Sequence, residues 1–173
     1  TDGTQCYLKT NVTFTAASVN STAGDNGSIS PAGFVEYDVS APGFSQPTYT
    51  VTPDSGKHIV SVKLDGVALT VTDASNAENY VFGTTSGVAA LANGQNKSLE
   101  ATFGNKLTLT TAGSGGSITT SSPQYVAIGG SATIAFSEAP VSITLNGVTQ
   151  TVDGASFVAS GFTADSELIA TFT

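Results

Sequence analysis

Apolar and polar residues alternate through "VSVKLDGVALTV", Val60 to Val71. Side chains alternate across a strand, so Val60, Val62 and Leu64 share a face. Val67, Leu69 and Val71 continue that face beyond Asp65-Gly66, a dipeptide that tolerates the positive φ angles of a two-residue type I′ turn. The stretch is therefore predicted as a β-hairpin pairing Leu64 with Val67, Val62 with Leu69 and Val60 with Val71. Ser61, Lys63, Ala68 and Thr70 form its solvated face. The pattern returns in "VSITLNGVTQTV", Val141 to Val152, with Asn146-Gly147 at the turn. Its pairs are Leu145–Val148, Ile143–Gln150 and Val141–Val152. Only Gln150 breaks the apolar set.

Other segments recur in the same order. "NVTFT" (Asn11–Thr15) echoes "KLTLT" (Lys106–Thr110), and "NGSIS" (Asn26–Ser30) echoes "GGSIT" (Gly115–Thr119). "YTVTP" (Tyr49–Pro53) falls against "ATIAF" (Ala132–Phe136), and "LEATF" (Leu99–Phe103) against "LIATF" (Leu168–Phe172). Order kept while intervening loops shorten is the mark of a tandem repeat. The excess in the first copy lies in "NSTAGD", "SAPGFSQ" and "GVAALANGQ", all rich in turn residues. The expected fold is all-β, with two tandem small β-sandwich-like domains: residues 1–104, including an N-terminal extension, and residues 105–173. Phe103 is followed directly by Gly104, leaving almost no linker. No long stretch has the helical period, and "GVAALANG" (Gly87–Gly94) offers one short helical turn at most.

Composition narrows the setting. Charged residues make up 10% of the chain, against about 25% in ordinary domains. Five Lys oppose thirteen acids for a net charge of −8, which argues against nucleic acid as a partner. No apolar run approaches the roughly 20 residues of a membrane-spanning helix. Without an initiator Met, Thr1 is expected to begin a processed chain from which a targeting segment has gone, the alternative being a chain trimmed there for expression.

"NGSISPAG", "VTPDSGKHIVSVKLDGV" and the closing "LEATF" resemble the divergent InlB-type B-repeat of bacterial and archaeal surface proteins. The first copy fits across Val12 to Phe103. The second keeps "GGSIT", "ITLNGV" and "IATF" but lacks the "PDSGKH" element. The resemblance implies an extracellular, all-β, non-catalytic repeat and brings no catalytic residues with it.

The residues themselves offer little chemistry. His58 is the only histidine, so any Ser-His-Asp or Cys-His arrangement would need it. It stands at the lip of a strand, and Ala139 or Pro140 occupies that neighbourhood in the second copy. Asp54, Asp65, Asp153 and Asp165 all sit in turn contexts, where Asp suits the local geometry. "GDNG" (Gly24–Gly27) and "VTDASNAEN" (Val71–Asn79) lack the spacing of an established calcium loop. "GSGGS" (Gly113–Ser117) lacks the Lys and following helix of a phosphate loop. Tyr7, Tyr37, Tyr49, Tyr80 and Tyr125 form no evident sugar-stacking platform, and Tyr80 aligns with Phe157 as a core position. No catalytic residue, cofactor or metal is expected.

Cys6 is the only cysteine; it is read as a small buried hydrophobe, with an intermolecular disulfide as the alternative. Cys6, Tyr7 and Leu8 lie in an alternating stretch suited to an assembly strand, donated to an open sheet edge of another subunit. The alternative there is that this stretch prolongs its own domain's first strand. Asn11, Asn20, Asn26 and Asn96 head glycosylation sequons, though a Ser/Thr-rich chain carries several by chance. The sequence thus points to a secreted or cell-surface structural protein, a surface repeat or pilus-like filament subunit without catalytic activity. Self-association through β-strand contacts is its expected partnership, with glycans or other surface proteins as further partners. The alternative is an adhesin or carbohydrate-binding module cut from a larger surface protein.

Overall fold

A computed structural model describes residues 16–173. The sequence readings on Cys6, Tyr7, Leu8 and Asn11 lie outside these residues. Within them the fold is all-β, with no helix, and "GVAALANG" forms turns and irregular chain.

In the first copy, β1 (Ala17–Ala23) runs parallel to the opening half of β8 (Asn96–Gly113), from Ser18 beside Asn96 to Ala23 beside Ala101. β3 (Gly33–Tyr37) flanks β1, while β5 (His58–Leu64) and its hairpin partner β6 (Val67–Leu69) flank β8 on the other side. A second sheet holds β2 (Gly27–Ser30), β4 (Thr48–Pro53) and β7 (Glu78–Val81), in that order. The second copy repeats the plan. The closing half of β8 stands where β1 stood and runs parallel to β14 (Ser166–Phe172). β9 (Gln124–Ala127), β11 (Ser142–Leu145) and β12 (Val148–Gln150) take the places of β3, β5 and β6. β10 (Ser131–Ala135) pairs with β13 (Ser156–Ser160), and a single bridge, Ile118 to Phe136, stands for β2.

One strand of 18 residues therefore closes the first copy and opens the second. Leu99, Ala101 and Phe103 point into an apolar cluster spanning Ala17 to Phe103, and Leu107 into another spanning Leu107 to Phe172. Each closing Phe sits over a glycine. A Cβ on Gly27 would lie 2.5 Å from the Phe103 ring, and one on Gly116 would lie 2.3 Å from that of Phe172. This explains the Gly before Ser-Ile in both "NGSIS" and "GGSIT".

Both hairpin turns form as read. Asp65 and Gly66 have φ of 51° and 79°, and Asn146 and Gly147 have 51° and 78°. The pairs Leu64–Val67, Val62–Leu69, Leu145–Val148 and Ile143–Gln150 are all present. The turn residues also do a second job. Asp65 makes one backbone and one side-chain bond to the closing strand, donating its N–H to Ser98 O and accepting the Ser98 N–H on Oδ1. Asn146 makes the same pair with Glu167.

Three details differ from the sequence reading. The outer pairs Val60–Val71 and Val141–Val152 do not form, because β6 and β12 are short edge strands whose ladders stop at Leu69 and Gln150. Val67 and Val148 are exposed at the hairpin tips, and a bulge between Ile59 and Ser61 buries Ile59 as well as Val62, breaking the simple alternation. Finally, the two copies align differently from the written echoes. Ser18–Thr22, rather than Asn11–Thr15, stands in the place of Lys106–Thr110. Tyr49 pairs with Tyr80 as Ile134 pairs with Phe157, which shifts the "YTVTP" and "ATIAF" match by two residues and so keeps its inward face.

Candidate functional site

The densest polar constellation among the described residues lies where the two copies meet. "PDSGKH" turns the chain into β5 and sets Lys57 and His58 at the end of the strand nearest the second copy. There β5 pairs with β8, His58 beside Gly104. A Cβ on Gly104 would stand 2.0 Å from Val126 O, so only glycine lets β9 approach β8 this closely.

His58 is 7% exposed. Its Nε2 lies 3.0 Å from Asp165 Oδ2 in the second copy, and its Nδ1 lies 3.0 Å from Ser75 Oγ in the first. A carboxylate only accepts, so Nε2 carries a proton; in the neutral ring Nδ1 then accepts the Ser75 hydroxyl. The imidazole also packs on Tyr125, with ring centroids 5.3 Å apart. Asp165 Oδ1 accepts the Lys106 N–H at 2.8 Å. Partial burial pushes the Asp165 carboxyl up. The Lys106 N–H, the His58 hydrogen bond and the charges of His58 and Lys106 outweigh burial and hold it below the ordinary Asp range. Beside this chain, Lys57 Nζ donates to Asn105 Oδ1 at 2.8 Å, and Asn105 Nδ2 donates to Phe162 O at 3.2 Å. The Asn105 amide, 1% exposed, is thereby satisfied at both ends.

Ser75, His58 and Asp165 follow the order of a hydrolase triad, hydroxyl to ring to carboxylate. The ring is held the other way round, with the carboxylate on Nε2. Moreover, the Ser75 N–H, which could help hold an oxyanion, already donates to Asp73 Oδ1. What the network does on this geometry is join: the His58–Asp165 and Lys57–Asn105 hydrogen bonds and the packing of His58 on Tyr125 all run from the first copy to the second.

The other sequence candidates are dispersed. Asp65 sits at its hairpin turn with Lys97 Nζ at 2.8 Å. Burial raises its carboxyl, but the Lys97 hydrogen bond, the Ser98 N–H and the Lys97 charge leave it lowered overall. In "VTDASNAEN" the carboxylates are engaged locally. Asp73 accepts from Ser75 N–H and Asn76 Nδ2, and Glu78 accepts from the N–H groups of Thr72 and Asp73. No group of three or more potential metal-ligating side chains occurs among the described residues. Tyr49 and Tyr80 are core residues rather than sugar platforms. Burial raises both phenols, Tyr80 to about 12 with help from the Glu78 charge, and the Tyr49 hydroxyl meets that of Tyr37 at 2.9 Å. Of the sequons, Asn20 is exposed on β1, Asn26 lies half-buried at φ 73° in the β1–β2 turn, and Asn96 is exposed with Oδ1 accepting the Ser18 hydroxyl. A shallow cavity of about 270 Å³ opens beside the boundary, lined by Gly24, Asp25, Asn26, Thr102, Phe103, Ala127 and Ile128.

Sequence reasoning set His58 aside and read Asp165 as a turn residue. Their partnership spans 107 positions, and neither periodicity nor local motif reports a contact of that range. No protein-family model, curated protein or solved structure matches the chain.

Proposed function

We propose that this chain is an extracellular structural protein, a cell-surface repeat or filament subunit without catalytic activity that self-associates through β-strand contacts. The observation that supports the reading most is β8 passing from one copy into the next without a break, reinforced by the pairs His58–Asp165 and Lys57–Asn105. A chain built to hold two repeats in fixed succession suits a spacer or filament better than a mobile multidomain enzyme. The InlB-type resemblance agrees with a surface setting.

The internal boundary also suggests how association does not occur. By the hairpin alignment, Glu138 and Ala139 occupy the places of Lys57 and His58 in the second copy, and by the closing-strand alignment Asn96 occupies that of Asp165. At these positions the outer ends do not repeat the Lys57, His58 and Asp165 set, and copying that boundary between molecules is not expected. Strand contacts elsewhere remain the proposed route.

A second reading, a binding module, is favoured by one observation: the cavity at the boundary presents Asp25, Asn26 and Thr102 beside Phe103 and Ile128, a lining suited to a small polar ligand. Electron microscopy of native or recombinant protein tests the first reading. Polymers or ladders support it; a monodisperse monomer that binds a glycan supports the second and overturns the first.

A further inference from the structure

The two copies differ in how the seam between the hairpin and the smaller sheet is closed. In the first copy Leu64, Leu69 and Tyr80 are buried there. They share one cluster with Val88 and Leu91, each 3% exposed, from the segment that follows β7. That segment lies against the hairpin, since a Cβ on Gly87 would stand 3.3 Å from Leu69 Cδ2. It is also tied to the sheet side, with Gln46 bonding both the N–H and the carbonyl of Leu91.

The second copy has lost this cover. Only Gly161 to Asp165 separates β13 from β14, and Phe162 is the single large apolar side chain it contributes. The corresponding positions are accordingly half-exposed. Leu145 stands for Leu64, Gln150 for Leu69 and Phe157 for Tyr80, with Val152 beside them. β12 and β13 border the seam as edge strands, paired on one side only. Val148, 64% exposed, marks its rim.

We infer that this seam is closed in the assembled protein by the N-terminal segment Cys6–Phe14 of a second copy. The inference rests on the proposed self-association and names where it happens. The segment carries Cys6, Leu8, Val12 and Phe14 at even spacing, so an extended chain turns all four to one face. That is the kind of apolar stripe Val88 and Leu91 supply in the first copy. Charge agrees: Lys9 would approach a copy whose charged residues are Lys106 against Glu138, Asp153, Asp165 and Glu167.

The segment of the same molecule falls short. β1 begins level with Asn96, and β14 begins level with Leu107. The path between these levels is eleven residues of β8, about 36 Å at the rise of a strand. Val12 reaches at most about 17 Å from Ala17, and Leu8 about 30 Å. The stripe therefore fills this seam only in a neighbouring molecule.

Mixed disulfide trapping tests the assignment. In a Cys6→Ser background, chains of residues 1–173 carrying Thr13→Cys are mixed with tagged chains carrying Val148→Cys, and separately with tagged chains carrying Val67→Cys. Val67 is the equivalent rim position of the closed seam and is equally exposed. The expected result is a heterodisulfide between positions 13 and 148 several times more abundant than that between 13 and 67, alongside assembly measured by light scattering. Assembly with equal trapping at both rims overturns the seam assignment and leaves self-association standing. Monomers at every concentration overturn both.

Discussion

His58 Nε2 and Asp165 Oδ2 meet at 3.0 Å, so the end of a strand in the first copy and a loop of the second are held by one shared hydrogen bond. Because His58 is buried while the Asp165 side chain is 41% exposed, the ring loses most when the pair is broken. His58→Ala removes a side chain packed on Tyr125 and leaves Ser75 and Asp165 without their shared partner. We expect a loss of about 1–3 kcal/mol, with the thermal transition broadening or splitting in calorimetry as the copies uncouple. A sharp, unshifted transition would show that the network does not couple them.

The acid limb of stability should carry the signatures of Asp165 and Asp65. Both are lowered in the folded chain from the ordinary value of 3.8. A depressed folded pKa contributes stability that is full above the unfolded value and is lost as pH falls through the folded one. Melting temperature should therefore drop from about pH 4 downward. Asp65→Asn keeps the turn geometry that Asn146 already uses, and so isolates the charge; together with Asp165→Asn it should flatten that drop. An unchanged acid limb in the double variant would count against both ion contacts.

Gly66→Val and Gly147→Val force a β-branched residue to φ near 79° and 78°. Each should destabilise by about 1–3 kcal/mol, read as a shift in denaturant midpoint. Gly104→Ala should be at least as damaging, since its Cβ would collide with the Val126 carbonyl in the backbone of β9. Equal midpoints for Gly104→Ala and the parent would mean that β9 can move away at little cost.

Ser75 should not behave as a catalytic nucleophile. A fluorophosphonate probe followed by peptide mass spectrometry is expected to leave it unmodified, and Ser75→Ala should change stability by no more than about 1 kcal/mol. Stoichiometric labelling at Ser75, abolished by His58→Ala, would overturn the non-catalytic reading.

The parts of the fold legible in the sequence are those written locally. Asp65-Gly66 and Asn146-Gly147 announce their turns because few other dipeptides hold two positive φ angles. The inward run Leu99, Ala101, Phe103 announces its strand through simple alternation. The register of the first strand was not legible: Asn11–Thr15 looks more like Lys106–Thr110 than Ser18–Thr22 does, yet backbone pairing with the closing strand selects the latter. The bulge at Ile59–Ser61 was hidden for a similar reason, as it belongs to the pairing of β5 with β8 and not to either strand alone. The boundary network was invisible because its members are scattered singly along the chain, from Lys57 to Asp165.

The long strand has a mechanical meaning. β1 lies parallel to the first half of β8 along six residue pairs, and β14 lies parallel to the second half along seven. A pull applied between Ala17 and Phe172 enters through β1, crosses to β8, runs along it past the boundary and leaves through β14. Both crossings load their ladders lengthwise, in shear, so the hydrogen bonds of each must yield together and cannot be peeled one at a time. Between those two ladders tension travels through backbone alone, and the meeting point of the two copies is spanned by an uninterrupted peptide chain already drawn straight.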